Sequence, residues 1–110
     1  MLQIENRHLF ILQQILAKYP YHFYAYGSRV KGNAHQFSDL DICYQEEIPR
    51  HIVAEINWEL AESYLPFIIE LVNWKNMRPA FQKAIKKDLI LISAPAFQSA
   101  KEPILKTKTI

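Results

Sequence analysis

Apolar residues recur every three or four positions near the start of the chain and then gather in short runs. Residues 4–18 carry the apolar spacing of an amphipathic helix, and Pro20 ends it. The aromatic run 21–26 predicts a short strand, which stops at Gly27. The polar segment 28–38 then predicts a loop with one helical turn at its start.

The second half of the chain repeats the alternation of strands and helices. Residues 39–44 alternate charged and apolar side chains, as a strand with one functional face does. Pro49 opens a second helix, and 67–74 predict a buried strand. A third helix covers about 78–88, and residues 89–92 predict a last short strand. The order of elements predicts an α/β (α+β) fold, with a small mixed β-sheet of three to four strands flanked by helices.

A chain of 110 residues fits one domain. We assign residues 1–92 to this domain. From Ser93 onward the pattern has no period and contains two prolines. We therefore expect residues 93–110 to be a mobile or partner-binding tail.

Composition and charge narrow the class of protein. Half of the residues are hydrophobic, so a core can be buried, and the net charge of +2 is too small to favour a nucleic-acid partner. The single cysteine, Cys43, excludes an internal disulfide and suits a reducing compartment. No secretory leader and no membrane-length apolar run is present. These features predict a cytoplasmic protein with no membrane partner.

Two carboxylates stand on the predicted strand 39–44. Asp39 and Asp41 are two residues apart, so on a strand they point to the same face. Adjacent carboxylates repel each other unless a cation lies between them, and their hard oxygens suit Mg²⁺ or Mn²⁺. The alternative is a solvent-facing strand that carries two incidental acids.

A second candidate feature is the tripeptide Gly27-Ser28-Arg29, directly after a strand. Glycine permits a sharp turn and a close approach of phosphate. A helical turn that begins at Ser28 would present backbone N–H groups to an anion, and Arg29 and Lys31 add positive charge. The alternative is an ordinary strand-to-loop turn.

Glu70 is the third candidate, because every neighbour from Pro66 to Val72 is apolar. An ionised carboxylate in such a strand is costly unless it is paired or bound to a metal. It is therefore either the partner of an Arg or Lys, or a third carboxylate beside Asp39 and Asp41. A phosphate-binding turn and three acids together are what two-metal phosphoryl-type transfer requires.

The segment Tyr26 to Gly32 (YGSRVKG), followed by Ser38 to Ile42 (SDLDI), resembles the signature of the DNA polymerase beta-like nucleotidyltransferase superfamily. More narrowly, it is similar to the minimal nucleotidyltransferase (MNT) family, over residues 4–92. The resemblance implies that the catalytic and metal-binding acids are Asp39, Asp41 and Glu70. It also implies that the nucleotide-binding residues are Gly27, Ser28, Arg29 and Ser38. The family usually carries aspartate where this chain has Glu70.

The resemblance also implies a partner and a reaction. MNT proteins resemble antitoxins encoded beside all-helical HEPN-domain toxins, and they move AMP from ATP to a tyrosine hydroxyl of the toxin. This implies ATP as substrate, two Mg²⁺ ions (or Mn²⁺), and a homo- or hetero-oligomer in which a partner or second copy completes the acceptor site. Two alternatives stay open. One is a non-catalytic nucleotide-binding subunit that neutralises a HEPN protein by occlusion, which Glu70 favours. The other is a small-molecule transferase, which the lack of an acceptor domain disfavours.

Overall fold

A computed structural model describes residues 2–95 of the chain. It confirms the predicted order of elements and the single helical turn after Gly27. The helices and strands, in chain order, are α1 (Asn6–Leu16), β1 (Phe23–Tyr26), α2 (Ser28–Lys31), β2 (Leu40–Tyr44), α3 (Arg50–Ala61), β3 (Ile69–Asn73), α4 (Pro79–Ile85) and β4 (Ile90–Ser93), with 3₁₀ turns at Trp74–Asn76 and Lys86–Asp88.

The strands form one mixed sheet in the order β3-β2-β1-β4. β1 pairs antiparallel with both β2 and β4, and β2 pairs parallel with β3. Parallel neighbours need a long crossover connection, which α3 supplies. The predicted mixed α/β sheet flanked by helices is confirmed, with four strands.

The side chains of β2 show how the sheet divides its two faces. Leu40, Ile42 and Tyr44 belong to the larger core, which contains the apolar stripes of α1 and α3. Cys43 belongs to a smaller cluster with Ile85 of α4. Because side chains alternate along a strand, Asp41 projects to the face of Cys43. The larger core therefore anchors β2 from one side and leaves Asp41 on the other.

Residues Ile69–Asn73 form the strand predicted over 67–74, but the prediction that this strand is buried is wrong. β3 is an edge strand of the sheet, so its side chains are only half-buried and Glu70 is exposed. Water therefore solvates the Glu70 carboxylate, and the expected cost of burying it does not arise. No Lys, Arg or His within residues 2–95 forms an ion pair with Glu70, so the alternative of a basic partner is not found there.

The predicted boundary at residue 92 falls inside a strand, because Ser93 is the last residue of β4 and is buried, as is Ala94. The rest of the predicted tail, from residue 96 to 110, lies outside the described residues. None of the helices within residues 2–95 is both long enough and apolar enough to span a membrane.

The burial of α3 leads to a stability prediction. Ile56 is fully buried in the larger core, whereas Ile68 is 66% exposed. Ile56→Ala should lower the free energy of unfolding by about 2–5 kcal/mol, because it removes buried methylenes and leaves a cavity. The matched change Ile68→Ala should cost less than about 0.5–1 kcal/mol. Urea unfolding measures both, and equal losses would contradict the assignment of the core.

Candidate active site

The turn between β1 and α2 depends on Gly27. Its backbone has φ +88°, a region that favours glycine. A Cβ atom placed on Gly27 would lie 2.4 Å from Oδ2 of Asp41, which is far inside van der Waals contact. The absent side chain therefore lets the Asp41 carboxylate lie directly against the turn that opens α2.

The sheet register places three polar side chains in one row. Asp41 of β2 pairs with Tyr26 of β1 on one side and with Glu70 of β3 on the other. Paired residues of neighbouring strands point to the same face of a sheet. The structure thus brings Asp41 and Glu70 side by side, next to Gly27, and it does so through backbone pairing alone.

The carboxylates also interact through their charges. Burial raises the pKa of Asp41 above its ordinary value, and the negative charges of Glu70 and Asp39 raise that pKa further. Burial, followed by the charge of Asp41, raises the pKa of Tyr26 to about 12. Tyr26 is therefore a neutral phenol at physiological pH, beside carboxylates that repel one another.

Asp39 differs from Asp41 in its surroundings. It precedes β2, at the end of the loop that follows α2, and its side chain is exposed. Within residues 2–95 no three His, Cys, Asp or Glu side chains form a ready cluster of metal ligands. Asp41 and Glu70 are brought together, and Asp39 lies close enough to act on the charge of Asp41 without closing a cage.

The donor set still fits a divalent cation. Carboxylate oxygens are the ligands that Mg²⁺ and Mn²⁺ prefer, and Gly27 keeps the space beside Asp41 Oδ2 free of a side chain. A cation between the acids would also offset the burial, and the repulsion from Glu70 and Asp39, that raise the pKa of Asp41. The arrangement therefore suits metal binding in its chemistry, with Asp41 as the most firmly held ligand.

Arg29 occupies a position that the sequence does not predict. It is only 4% exposed, and its guanidinium donates to the backbone carbonyls of Gln3, Gln36 and Ser38. The same group stacks on the ring of Phe67, 4.1 Å from its centroid. This geometry supports a positioning role for Arg29, and its contact with phosphate stays a prediction.

The two serines of the motif occupy different places. Ser28 opens α2, whose first turn closes when the N–H groups of Val30 and Lys31 donate to the carbonyl of Gly27. Ser38 holds the following loop, because its hydroxyl accepts from the N–H of His35. Nucleotide contacts of Gly27, Ser28 and Ser38 stay predictions.

Two residues near this site escape sequence reasoning. Tyr26 stands in the predicted strand, but its pairing with Asp41 depends on the register of an antiparallel pair, which the pattern of apolar positions does not fix. Gln3 donates from its side chain to Ala34, and a single glutamine before a helix gives no signal of that kind.

The two glycines provide a matched test of the turn. Gly32 also has a positive φ, +86°, but a Cβ there would meet nothing within 4 Å. Gly32→Ala should therefore cost only the backbone strain, about 1–2 kcal/mol of unfolding free energy. Gly27→Ala adds the clash with Asp41, at a backbone (ψ −155°) that lies outside the left-handed region of Gly32 (ψ 10°), and should cost more, as measured by urea unfolding. Equal losses for the two variants would show that Asp41 does not need the space above Gly27.

The raised pKa of Asp41 predicts a gain in stability on neutralisation. The folded state disfavours ionised Asp41, so this group destabilises the protein once the pH exceeds its unfolded pKa of about 4. Asp41→Asn should therefore raise the Tm of the metal-free protein at pH 7, and the gain should shrink as the pH falls toward about 4. The measurement is thermal unfolding in EDTA across this pH range.

Asp88→Asn is the control for that experiment. The Asp88 carboxylate lies 3.7 Å from the Lys31 ammonium, so its removal should leave the Tm unchanged or lower it. A fall in Tm for Asp41→Asn at pH 7 would contradict the electrostatics described above.

Comparison with known proteins identifies the family of the chain. Residues 11–95 match the family model described as "Polymerase beta, Nucleotidyltransferase". The chain is 36% identical over 84 residues to the probable protein adenylyltransferase MntA of Haemophilus influenzae, and the match covers 74% of this chain and 72% of that protein.

A solved structure has the same fold. A chain described as "Crystal structure of the toxin-antitoxin with AMP-PNP" superimposes with a TM-score of 0.60 at 19% identity, over 88% of this chain and 83% of that one. At this identity the likeness concerns the fold. The family match and the MntA relative show the family: the chain belongs to the polymerase beta nucleotidyltransferases, in their minimal MNT group.

Proposed function

We propose that the protein is a metal-dependent adenylyltransferase of the cytoplasm. In this proposal it moves AMP from ATP to a hydroxyl group of a partner protein and acts as the antitoxin of a HEPN/MNT toxin–antitoxin pair. The MntA relative, named as a probable protein adenylyltransferase, supports the reaction type. The neighbour crystallised as a toxin–antitoxin with AMP-PNP supports a nucleotide and a protein partner.

One observation carries the proposal. Asp41 and Glu70 are register partners on one face of the sheet, and the Asp41 carboxylate lies against the turn at Gly27. The turn that we propose to bind phosphate and the paired carboxylates thus lie at one place. Nucleotidyl transfer needs this combination, because the triphosphate and the metal ions must lie together.

The proposed role of each site residue follows from its position. Asp39, Asp41 and Glu70 would hold Mg²⁺ or Mn²⁺, and such ions, when bound, neutralise the triphosphate and favour ionisation of the attacking hydroxyl. Gly27, Ser28 and the first turn of α2 would receive phosphate oxygens. In the transfer, the acceptor oxygen bonds to the α-phosphorus, the bond from this phosphorus to the oxygen bridging to the β-phosphate breaks, and pyrophosphate leaves.

The exposure of the site supports a protein acceptor. Asp39 and Glu70 are open to solvent, and Asp39 and Asn57 line a cleft of about 550 Å³ together with apolar side chains. Two residues of its lining, Phe37 and Ile68, are 62% and 66% exposed. Exposed apolar groups beside a reactive site are typical of surfaces that dock another protein.

A second candidate is a nucleotide-binding subunit that neutralises its partner by complex formation without transfer. Two observations favour it. Glu70 stands where the family usually has aspartate, and no three acids within residues 2–95 form a closed ligand cluster.

Incubation of the protein with α-labelled ATP, Mg²⁺ and the product of the neighbouring open reading frame, which the proposal expects to be a HEPN-domain protein, tests both candidates. Label should appear on the partner, and EDTA should abolish the transfer. Asp39→Asn and Asp41→Asn should each lower the rate by about 10²–10³-fold or more, because each removes a carboxylate that would hold the metal ions. Glu47→Gln, which changes an exposed acid outside the site, should transfer at the wild-type rate.

Glu70 needs its own comparison. If its carboxylate serves the reaction, Glu70→Asp should retain more activity than Glu70→Gln, and the exposed Glu47→Gln should be neutral. A tight complex that binds ATP and never labels the partner would overturn the enzymatic proposal in favour of the non-catalytic subunit.

A further inference from the structure

The segment before α1 contacts the loop that carries Asp39. We define the motif loop as residues 32–39, between α2 and β2. The backbone N–H of Gln3 donates to the carbonyl of Arg29 (2.6 Å), and Nη1 of Arg29 donates back to the carbonyl of Gln3 (2.8 Å). The N-terminal segment is therefore fixed to the short helix that follows the phosphate-binding turn.

The side chain of Gln3 reaches further, onto the motif loop. Its Nε2 donates to the carbonyl of Ala34 (2.9 Å), and its Oε1 accepts from the N–H of Ala34 (3.1 Å). The amide thus pairs with both backbone groups of one residue, as a neighbouring strand would. Only a side chain with one donor and one acceptor at this distance can form both bonds.

Arg29 donates two further hydrogen bonds to the motif loop. Its Nε donates to the carbonyl of Ser38 and its Nη2 to that of Gln36, both at 3.0 Å. Ser38 immediately precedes Asp39. Hydrogen bonds to a buried charge are stronger than ordinary ones. The guanidinium of Arg29 therefore holds the end of the motif loop that leads into Asp39.

The motif loop has few other attachments. Residues 35–37 are exposed, and the remaining hydrogen bonds of residues 34–38 run within the loop, among His35, Phe37 and Ser38. Across the described part of the chain, the hydrogen bonds that tie residues 34–38 to other elements come from Gln3 and Arg29. Asp39 is thus held on one side by β2, where the N–H of Leu40 donates to the carbonyl of Ile68, and on the other by a loop whose hydrogen bonds to the rest of the chain come from these two side chains.

We propose that Gln3 is a positioning residue, which acts with Arg29 as a clamp that holds the motif loop so that Asp39 faces Asp41. This inference rests on the proposed function for its catalytic consequence. The clamp itself is a property of the folded chain. Gln3 lies outside the turn, the strands and the acids of the site, and nothing in the family signature includes it.

The kinetic test compares Gln3→Ala with Gln14→Ala, an exposed glutamine of α1. Gln3→Ala should lower kcat for transfer by about 10–100-fold, the usual effect of losing a group that orients a ligand, with little change in the KM for ATP. Its Tm should stay close to that of Gln14→Ala, because the Gln3 side chain is exposed. In an Asp39→Asn background, Gln3→Ala should cause no further loss, since both changes act through the same carboxylate.

Hydrogen–deuterium exchange tests the clamp without any activity. Gln3→Ala should speed exchange of the amides of residues 34–38, and Gln14→Ala should not. Unchanged exchange in Gln3→Ala would overturn the clamp, and so would a loss of kcat that adds in full to that of Asp39→Asn. If the wild-type protein transfers no AMP, the proposed function fails, and the exchange measurement still decides whether the clamp exists.

Discussion

The central constraint on the site is that strand pairing places two mutually repelling carboxylates, those of Asp41 and Glu70, side by side. The parallel register of β2 and β3 sets Asp41 opposite Glu70, and no basic side chain within residues 2–95 neutralises Glu70. The fold tolerates this because Glu70 is on an edge strand, in contact with water. Asp41 has less access to water, and the raised pKa of its carboxyl records the cost. Because this arrangement of negative charge is unfavourable without a ligand, the site favours a ligand that carries positive charge.

Packing in the larger core keeps Asp41 in this electrostatically unfavourable position. Leu40 and Ile42 flank Asp41 in sequence and are fully buried on the opposite face of the sheet, against α1 and α3. β2 therefore cannot twist to move Asp41 away without exposing both. The same logic applies at Gly27, where the turn accepts the carboxylate only because no side chain is present. Burial on one face fixes the position of charge on the other.

Much of this was available from the sequence, for identifiable reasons. Side-chain period, prolines and glycines predict each helix and strand within a few residues, because these signals are local. The pairing of Glu70 with Asp41, in contrast, depends on strand order, and the exposure of Glu70 depends on β3 being an edge. Neither property is local. The apolar neighbours of Glu70 suggest full burial, yet an edge strand needs apolar residues on the one face that it does cover.

The same distinction explains Arg29. Sequence analysis interprets a basic residue next to a predicted phosphate-binding turn as a phosphate ligand, because a sequence shows the charge of a residue and not its hydrogen-bond partners. Arg29 is buried, and the three carbonyl groups that accept its hydrogen bonds belong to residues before and after it in the chain. A guanidinium suits that task better than an ammonium, because its flat donors reach several carbonyls while its face rests on Phe67. Asp41 is thus fixed by the sheet and Asp39 by hydrogen bonds to a loop.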